Sequence, residues 1–193
     1  MKKVTLLGDS IRLIGYGKKV ADSLENDGYK VFQPDENCRF AKYTLRMLYD
    51  YKNDIAGSDV IHWNNGLWDM CNLFGDGTFS SLADYKKTII RILKILKEIT
   101  PNIIFATTTP VRDDNLNNNN DVIKKFNAEI VPVLKTEGCY INDLYNLLYE
   151  KRNLYIRDDD KIHLTASGIE VCHQAVYGCI KSVLRKSHSV GHS

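Results

Sequence analysis

The chain has 193 residues, of which 44% are hydrophobic and 26% charged, and a net charge of +2. That describes one globular domain with a substantial core, and carries too little charge to argue for nucleic acid or an anionic membrane surface. Five scattered cysteines, Cys38, Cys71, Cys139, Cys172 and Cys179, form no CxxC pair and are odd in number. This argues against a disulfide framework and a zinc site, and predicts reduced thiols in a cytoplasmic protein. The apolar run behind Met1-Lys2-Lys3 is too short for a signal-peptide core. No stretch approaches the roughly 20 apolar residues of a membrane span.

Val4 to Leu7 reads as a short buried strand that ends in Gly8-Asp9-Ser10. Ile14, Val20, Ala21 and Leu24 then recur at helical spacing up to Asn26, and Gly28 closes that helix. Tyr29 to Phe32 is a second strand, Gln33 to Phe40 is irregular, and Ala41 to Ile55 is helical. Val60-Ile61-His62-Trp63-Asn64 is a third strand running into Asn65-Gly66, and Leu67 to Thr78 is a glycine-containing loop. From Ser81 to Thr100, Leu82, Tyr85, Ile89, Ile92, Leu93 and Leu96 form one stripe. Asn102 to Thr107 is the fourth strand, with the apolar run Ile103-Ile104-Phe105-Ala106. The polar stretch Asp113 to Asp121, with asparagines 117 to 120, reads as a mobile loop. Asp121 to Thr136 is helical, with Pro132 predicting a kink or early break. Tyr140-Ile141 is a short fifth strand, Asp143 to Glu150 a short helix, and Thr165 caps a final helix reaching Lys186. A single domain over 1–186 and a disordered tail over 187–193 complete the expectation.

Strands and helices alternate about five times, which predicts an α/β three-layer, doubly wound sandwich on a mainly parallel sheet. Right-handed crossovers bring the strand-to-helix loops to one edge, where ligands bind. Ser10, the Cys38 loop, Asn64, the Thr107–Pro110 loop and the Asp160–His163 loop converge there. A serine at the start of a helix is a seat for a nucleophile if a base lies nearby. Asp160 and His163 are three apart in a loop, a spacing that lets the carboxylate accept the imidazole Nδ1–H and fix its tautomer.

Gly8-Asp9-Ser10 after the first strand, together with Asp160-Lys161-Ile162-His163 before the last helix, resembles the SGNH (GDSL) hydrolases over roughly residues 4 to 185. The resemblance implies a flavodoxin-like SGNH hydrolase fold, Ser10 as nucleophile, and Asp160 and His163 as the rest of a triad. It also implies an oxyanion asparagine after the third strand. Asn64 matches it within His62-Trp63-Asn64-Asn65-Gly66, although His62 and Asn65 depart from the family's glycine and aspartate. Asn65 is the competing choice, and a simple Asn-Gly turn the plain alternative. The second oxyanion donor of the family is a glycine N–H. Cys38 holds that position in Glu36-Asn37-Cys38-Arg39-Phe40; it keeps an N–H but not a glycine's conformational range.

Among the other candidates, Cys38 is a weaker nucleophile because no second histidine is placed beside it. His62 faces either the pocket or the core. Trp63 and Trp68 serve packing or line a substrate site. Arg12 contacts a polar substrate or solvent, Asp9 bonds to nearby backbone, and Asp158 or Asp159 is a less favoured orienting acid. The sequence therefore predicts a serine esterase acting through an acyl-enzyme, with an oxyanion hole of the Ser10 and Cys38 N–H groups and the Asn64 side chain. It needs no metal or organic cofactor. The expected substrate is a small-molecule ester with a short acyl group, acetyl above all, on a polar or carbohydrate alcohol. The rivals are a lipase or thioesterase taking longer chains, and a non-catalytic α/β binding module.

Overall fold

The computed structural model describes residues 1–189, with side chains described through Lys186. Five strands, β1 (Lys3–Leu7), β2 (Lys30–Phe32), β3 (Val60–Asn64), β4 (Ile103–Ala106) and β5 (Tyr140–Asn142), form one sheet in the order β2-β1-β3-β4-β5. Every pairing is parallel. Val4, Leu6, Val60, Ile61, Trp63, Ile103, Ile104 and Phe105 are fully buried. The three central strands therefore read as continuous apolar runs, as a sheet covered on both faces requires.

One face is covered by α1 (Gly17–Asn26) and α9 (Ala166–Ser189), which pack on each other. The other is covered by α2 (Ala41–Asp50), α5 (Leu82–Lys97) and α6 (Asn120–Thr136), with α5 central. The buried side chains Tyr85, Ile89, Ile92, Leu93 and Leu96 of α5 follow the helical period. Its first turn is capped by Ser81, whose Oγ accepts the Asp84 N–H at 3.1 Å. At α9, Thr165 Oγ1 accepts the Gly168 N–H at 3.1 Å.

The sequence reading and the structure part in six places. The segment Ile11–Tyr16 is a π-helical turn rather than the start of α1, and Gly15 breaks the helical path there with φ −106° and ψ −113°. Ala41 to Ile55 divides at Tyr51 into α2 and the single turn α3 (Lys52–Ile55). The single turn α4 (Leu67–Met70) stands where loop was expected, and a further single turn α8 (Arg152–Tyr155) follows the short helix α7 (Leu144–Tyr149). Pro132 does not stop α6, which continues to Thr136; a proline one turn from the end sacrifices a single hydrogen bond. The asparagine-rich loop is tied down by its own amides. Asn115 Oδ1 accepts the N–H groups of Asn117 and Asn118, Asn118 Nδ2 donates to Leu67 O, and the Asn120 amide pairs with both the N–H and C=O of Val111. Residues 187 to 189 of the expected tail extend α9, and 190–193 lie outside the described residues.

Candidate active site

The carboxyl ends of β1 and β3 meet at Gly8. A Cβ at Gly8 would lie 2.0 Å from Asn64 Oδ1 and 2.9 Å from Arg12 Cβ, so only glycine lets the turn after β1 sit directly on Asn64. The turn delivers Ser10 to the N-terminal end of the π-helical segment in right-handed helical conformation (φ −61°, ψ −25°). Asp9 points inward. Its Oδ1 accepts the Ile11 N–H at 3.0 Å and the Asn64 amide at 2.8 Å. Burial pushes the Asp9 carboxyl up, opposed by those two donors and by the Arg12 charge.

The loop before α9 supplies the partners. Lys161 takes a left-handed conformation (φ 65°), which folds the chain back so that Asp160 Oδ1 accepts both the Ile162 and His163 N–H groups at 2.9 Å. Asp160 Oδ2 then lies 2.8 Å from His163 Nδ1, and His163 Nε2 lies 2.9 Å from Ser10 Oγ. Partial burial pushes the Asp160 carboxyl up, but the two backbone N–H groups and the imidazole outweigh it and hold it down at about 2. Asp158 and Asp159 point away into ion pairs with Arg112, Lys161 and Arg157.

The expected oxyanion donors divide. Among the described residues no hydrogen bond takes the Ser10 N–H. Asn64 is buried beneath it; its Oδ1 accepts from Tyr16 Oη at 3.0 Å, and its Nδ2, with two hydrogens, spends one on Asp9. Asn65 is fully buried; its Oδ1 accepts from Thr44 and Trp63, and one Nδ2 hydrogen goes to Arg39 O. Cys38 requires a correction: its N–H donates to Gly8 O at 3.1 Å, so it is not available to an oxyanion. The Cys38 loop is instead laced to the turn, since the Gly8 N–H is 3.2 Å from Cys38 Sγ. Its left-handed residue is Arg39 (φ 49°), which leaves Cys38 without need of a glycine's freedom. Burial pushes the Cys38 thiol up, against a thiolate role.

Arg12 meets neither substrate nor solvent. It is 1% exposed and donates to the carbonyls of Pro34 and Glu36 at 2.7 Å and of Gly8 at 3.3 Å, clamping the β2–α2 connection onto the nucleophile turn. His62 is fully buried against Tyr16 and Asn142, and desolvation holds it neutral, down at about 3. Trp63 is core. Trp68 is not: with Ser10 and His163 it lines a cavity of about 460 Å³ whose other walls are Leu13, Ile14, Leu67, Leu73 and Ile162, with Asn37, Cys71, Asn117 and Asn118 at its edges. Leu13, Ile14 and Ile162 were not expected as pocket residues; their nearness to the two motifs is the one signal that could have found them. Among the described residues no group of three His, Cys, Asp or Glu side chains could hold a metal ion, and no helix is long and apolar enough to cross a membrane.

No protein-family model and no curated protein matches the chain. Solved structures do. The acetyl xylan esterase AlAXEase is 20% identical, with a TM-score of 0.76 over 92% of this chain and 99% of that one. A lipase/acylhydrolase from Enterococcus faecalis is 18% identical, with a TM-score of 0.76 over 94% and 96%. A member of the lipolytic G-D-S-L family from Veillonella parvula is 16% identical, with a TM-score of 0.71 over 91% and 96%. The chain thus shares the α/β fold of these esterase and lipase structures, one of them a G-D-S-L family member, the fold its two short motifs implied.

Proposed function

We propose that the protein is a serine hydrolase of carboxylic esters. The observation that carries this is the continuous hydrogen-bonded chain Asp160–His163–Ser10 at the wall of an apolar cavity. Ser10 Oγ attacks the ester carbonyl while His163 Nε2 takes its proton, and Asp160 holds the Nδ1–H and stabilises the imidazolium. The oxyanion accepts the Ser10 N–H and the second Asn64 Nδ2 hydrogen. Collapse breaks the C–O bond, and His163 returns the proton to the departing alcohol. Water, deprotonated by His163, then attacks the acyl-enzyme, releasing the acid and Ser10.

The cavity bears on the acyl group. At about 460 Å³ and lined by Leu13, Ile14, Leu67, Trp68, Leu73 and Ile162, it has the size and apolar lining of a site for a whole small molecule. An acetyl group would leave most of that surface wet, so the proposed acyl group is a medium-length chain rather than acetyl. The five free thiols support a reducing, cytoplasmic setting. The test is a p-nitrophenyl ester series from acetate to octanoate. A kcat/KM that rises with chain length is expected. Strong preference for acetate would restore the short-acyl reading, and no turnover on any ester would favour a non-catalytic binding module.

A further inference from the structure

A second cavity, also of about 460 Å³, adjoins the first, and the two share Asn117 and Asn118 as a common wall. Its character is opposite. Six asparagines line it, Asn72 and five of the run 115–120, and Leu116 is its one aliphatic side chain; Arg112, Asp113, Asp121 and Tyr149 complete the walls. Several amides keep free hydrogen-bonding capacity. Among the described residues the Asn117 side chain makes no hydrogen bond, and the Nδ2 groups of Asn72, Asn115 and Asn119 have no acceptor. The charged groups are largely committed: Arg112 pairs with Asp158 at 2.9 Å and Asp113 with Arg152 at 2.5 Å. An anion would meet two carboxylates against one already paired guanidinium, and an apolar group would strip water from the amides. Carboxamides offering a donor and an acceptor each match hydroxyl groups, which do the same.

The position of this cavity relative to the reaction is fixed by the loop that carries the base. The Arg112 N–H donates to Lys161 O at 3.0 Å, and the Arg112 guanidinium pairs with Asp158. Through Arg112 the polar cavity is therefore joined to the Asp158–His163 loop that carries the base.

Resting on the ester-hydrolase reading above, we infer that this second cavity receives the alcohol half of the substrate, and that this alcohol is an uncharged polyol of the sugar class. The substrate is then amphipathic, a medium-chain acyl ester of a polyhydroxy compound, lying across both cavities with its ester at Ser10.

The test compares 6-O-octanoylglucose with methyl octanoate, both followed by octanoate release, in the wild-type protein and in the Asn72→Ala/Asn117→Ala double variant. The wild type is expected to prefer the sugar ester by about tenfold or more in kcat/KM, the yield of one or two net hydrogen bonds. The double variant is expected to lose that preference. Neither side chain anchors the fold beyond a single 3.3 Å contact from the Gly77 N–H to Asn72, and thermal unfolding of the variant checks this. Equal kcat/KM for the two esters in the wild type, or a preference that survives in the variant, overturns the polyol site and leaves the esterase standing. Hydrolysis of neither ester by the wild type overturns both.

Discussion

Replacing Asp160 by Asn tests the base without dismantling its loop. In the wild type Oδ1 accepts the Ile162 and His163 N–H groups, and Oδ2 accepts from His163 Nδ1. The amide oxygen of Asn keeps the first two. Its NH₂ then faces Nδ1 as a donor, which forces the proton onto Nε2, the nitrogen that must accept from Ser10. A reversal of this kind lowers kcat by about 10⁴, or about 5 kcal/mol of transition-state stabilisation. The structural cost is one hydrogen bond, about 1 kcal/mol, which in a domain of this size is about 2–4 °C in Tm. The assay is kcat on p-nitrophenyl butyrate beside a thermal melt. A variant keeping more than about a tenth of wild-type kcat would refute the role of Asp160, since the tautomer argument allows no such residue of activity. The same carboxyl is held down at about 2. It stays ionised above that pH, and its contribution is lost only as pH falls through about 2, so an acid limb in the activity profile above pH 4 belongs to another group.

His62→Phe is expected to flatten the acid stability profile. Neutral His62, down at about 3 against 6.5, contributes stability that is present above 6.5 and lost as pH falls toward 3, up to about 5 kcal/mol; urea unfolding in wild type and variant at pH 7 and pH 4 would show a parallel loss if this is mistaken. Asn64→Ala is expected to lower kcat by about 10²–10³ with KM little changed, as loss of one oxyanion donor does. It should also cost about 1–3 kcal/mol of stability, because Tyr16 Oη loses its acceptor; unaltered kcat in the folded variant would remove Asn64 from the oxyanion hole. Cys38→Ala is expected to stay within about threefold of wild-type kcat, its thiol making only a weak contact with the Gly8 N–H; loss of turnover in a folded Cys38→Ala protein would reinstate the thiol as a participant.

Much of the fold was legible because parallel strands buried on both faces are continuous apolar runs: Val60–Asn64 and Ile103–Ala106 fall where the run of residues put them. The breaks were not. Gly15 and Tyr51 interrupt their helices for reasons of packing that leave no mark on hydrophobic period. The Ser10–His163–Asp160 cluster was legible because Gly8-Asp9-Ser10 ends the first strand and Asp160-x-x-His163 directly precedes the last helix, two short motifs visible in the sequence. Backbone donors were not legible. Cys38 carries the N–H that the family pattern asks for, yet the distance that commits it to Gly8 O is set by a clamp from Arg12 that one-dimensional reading assigned to solvent or substrate. The apolar cavity was not legible either: Leu13 and Ile14 come from the segment after β1, Trp68 from α4, Leu73 from the loop behind it and Ile162 from the Asp160–His163 motif, and no single period links them.

The central claim is that Ser10 is an activated nucleophile, and a fluorophosphonate tests it most directly, because the reagent phosphonylates a serine hydroxyl only where a base withdraws its proton. Intact-mass and peptide spectra of the treated protein should show one adduct, on Ser10, absent from Ser10→Ala and from His163→Ala. An unlabelled wild-type protein, or an adduct that persists in either variant, would contradict the account.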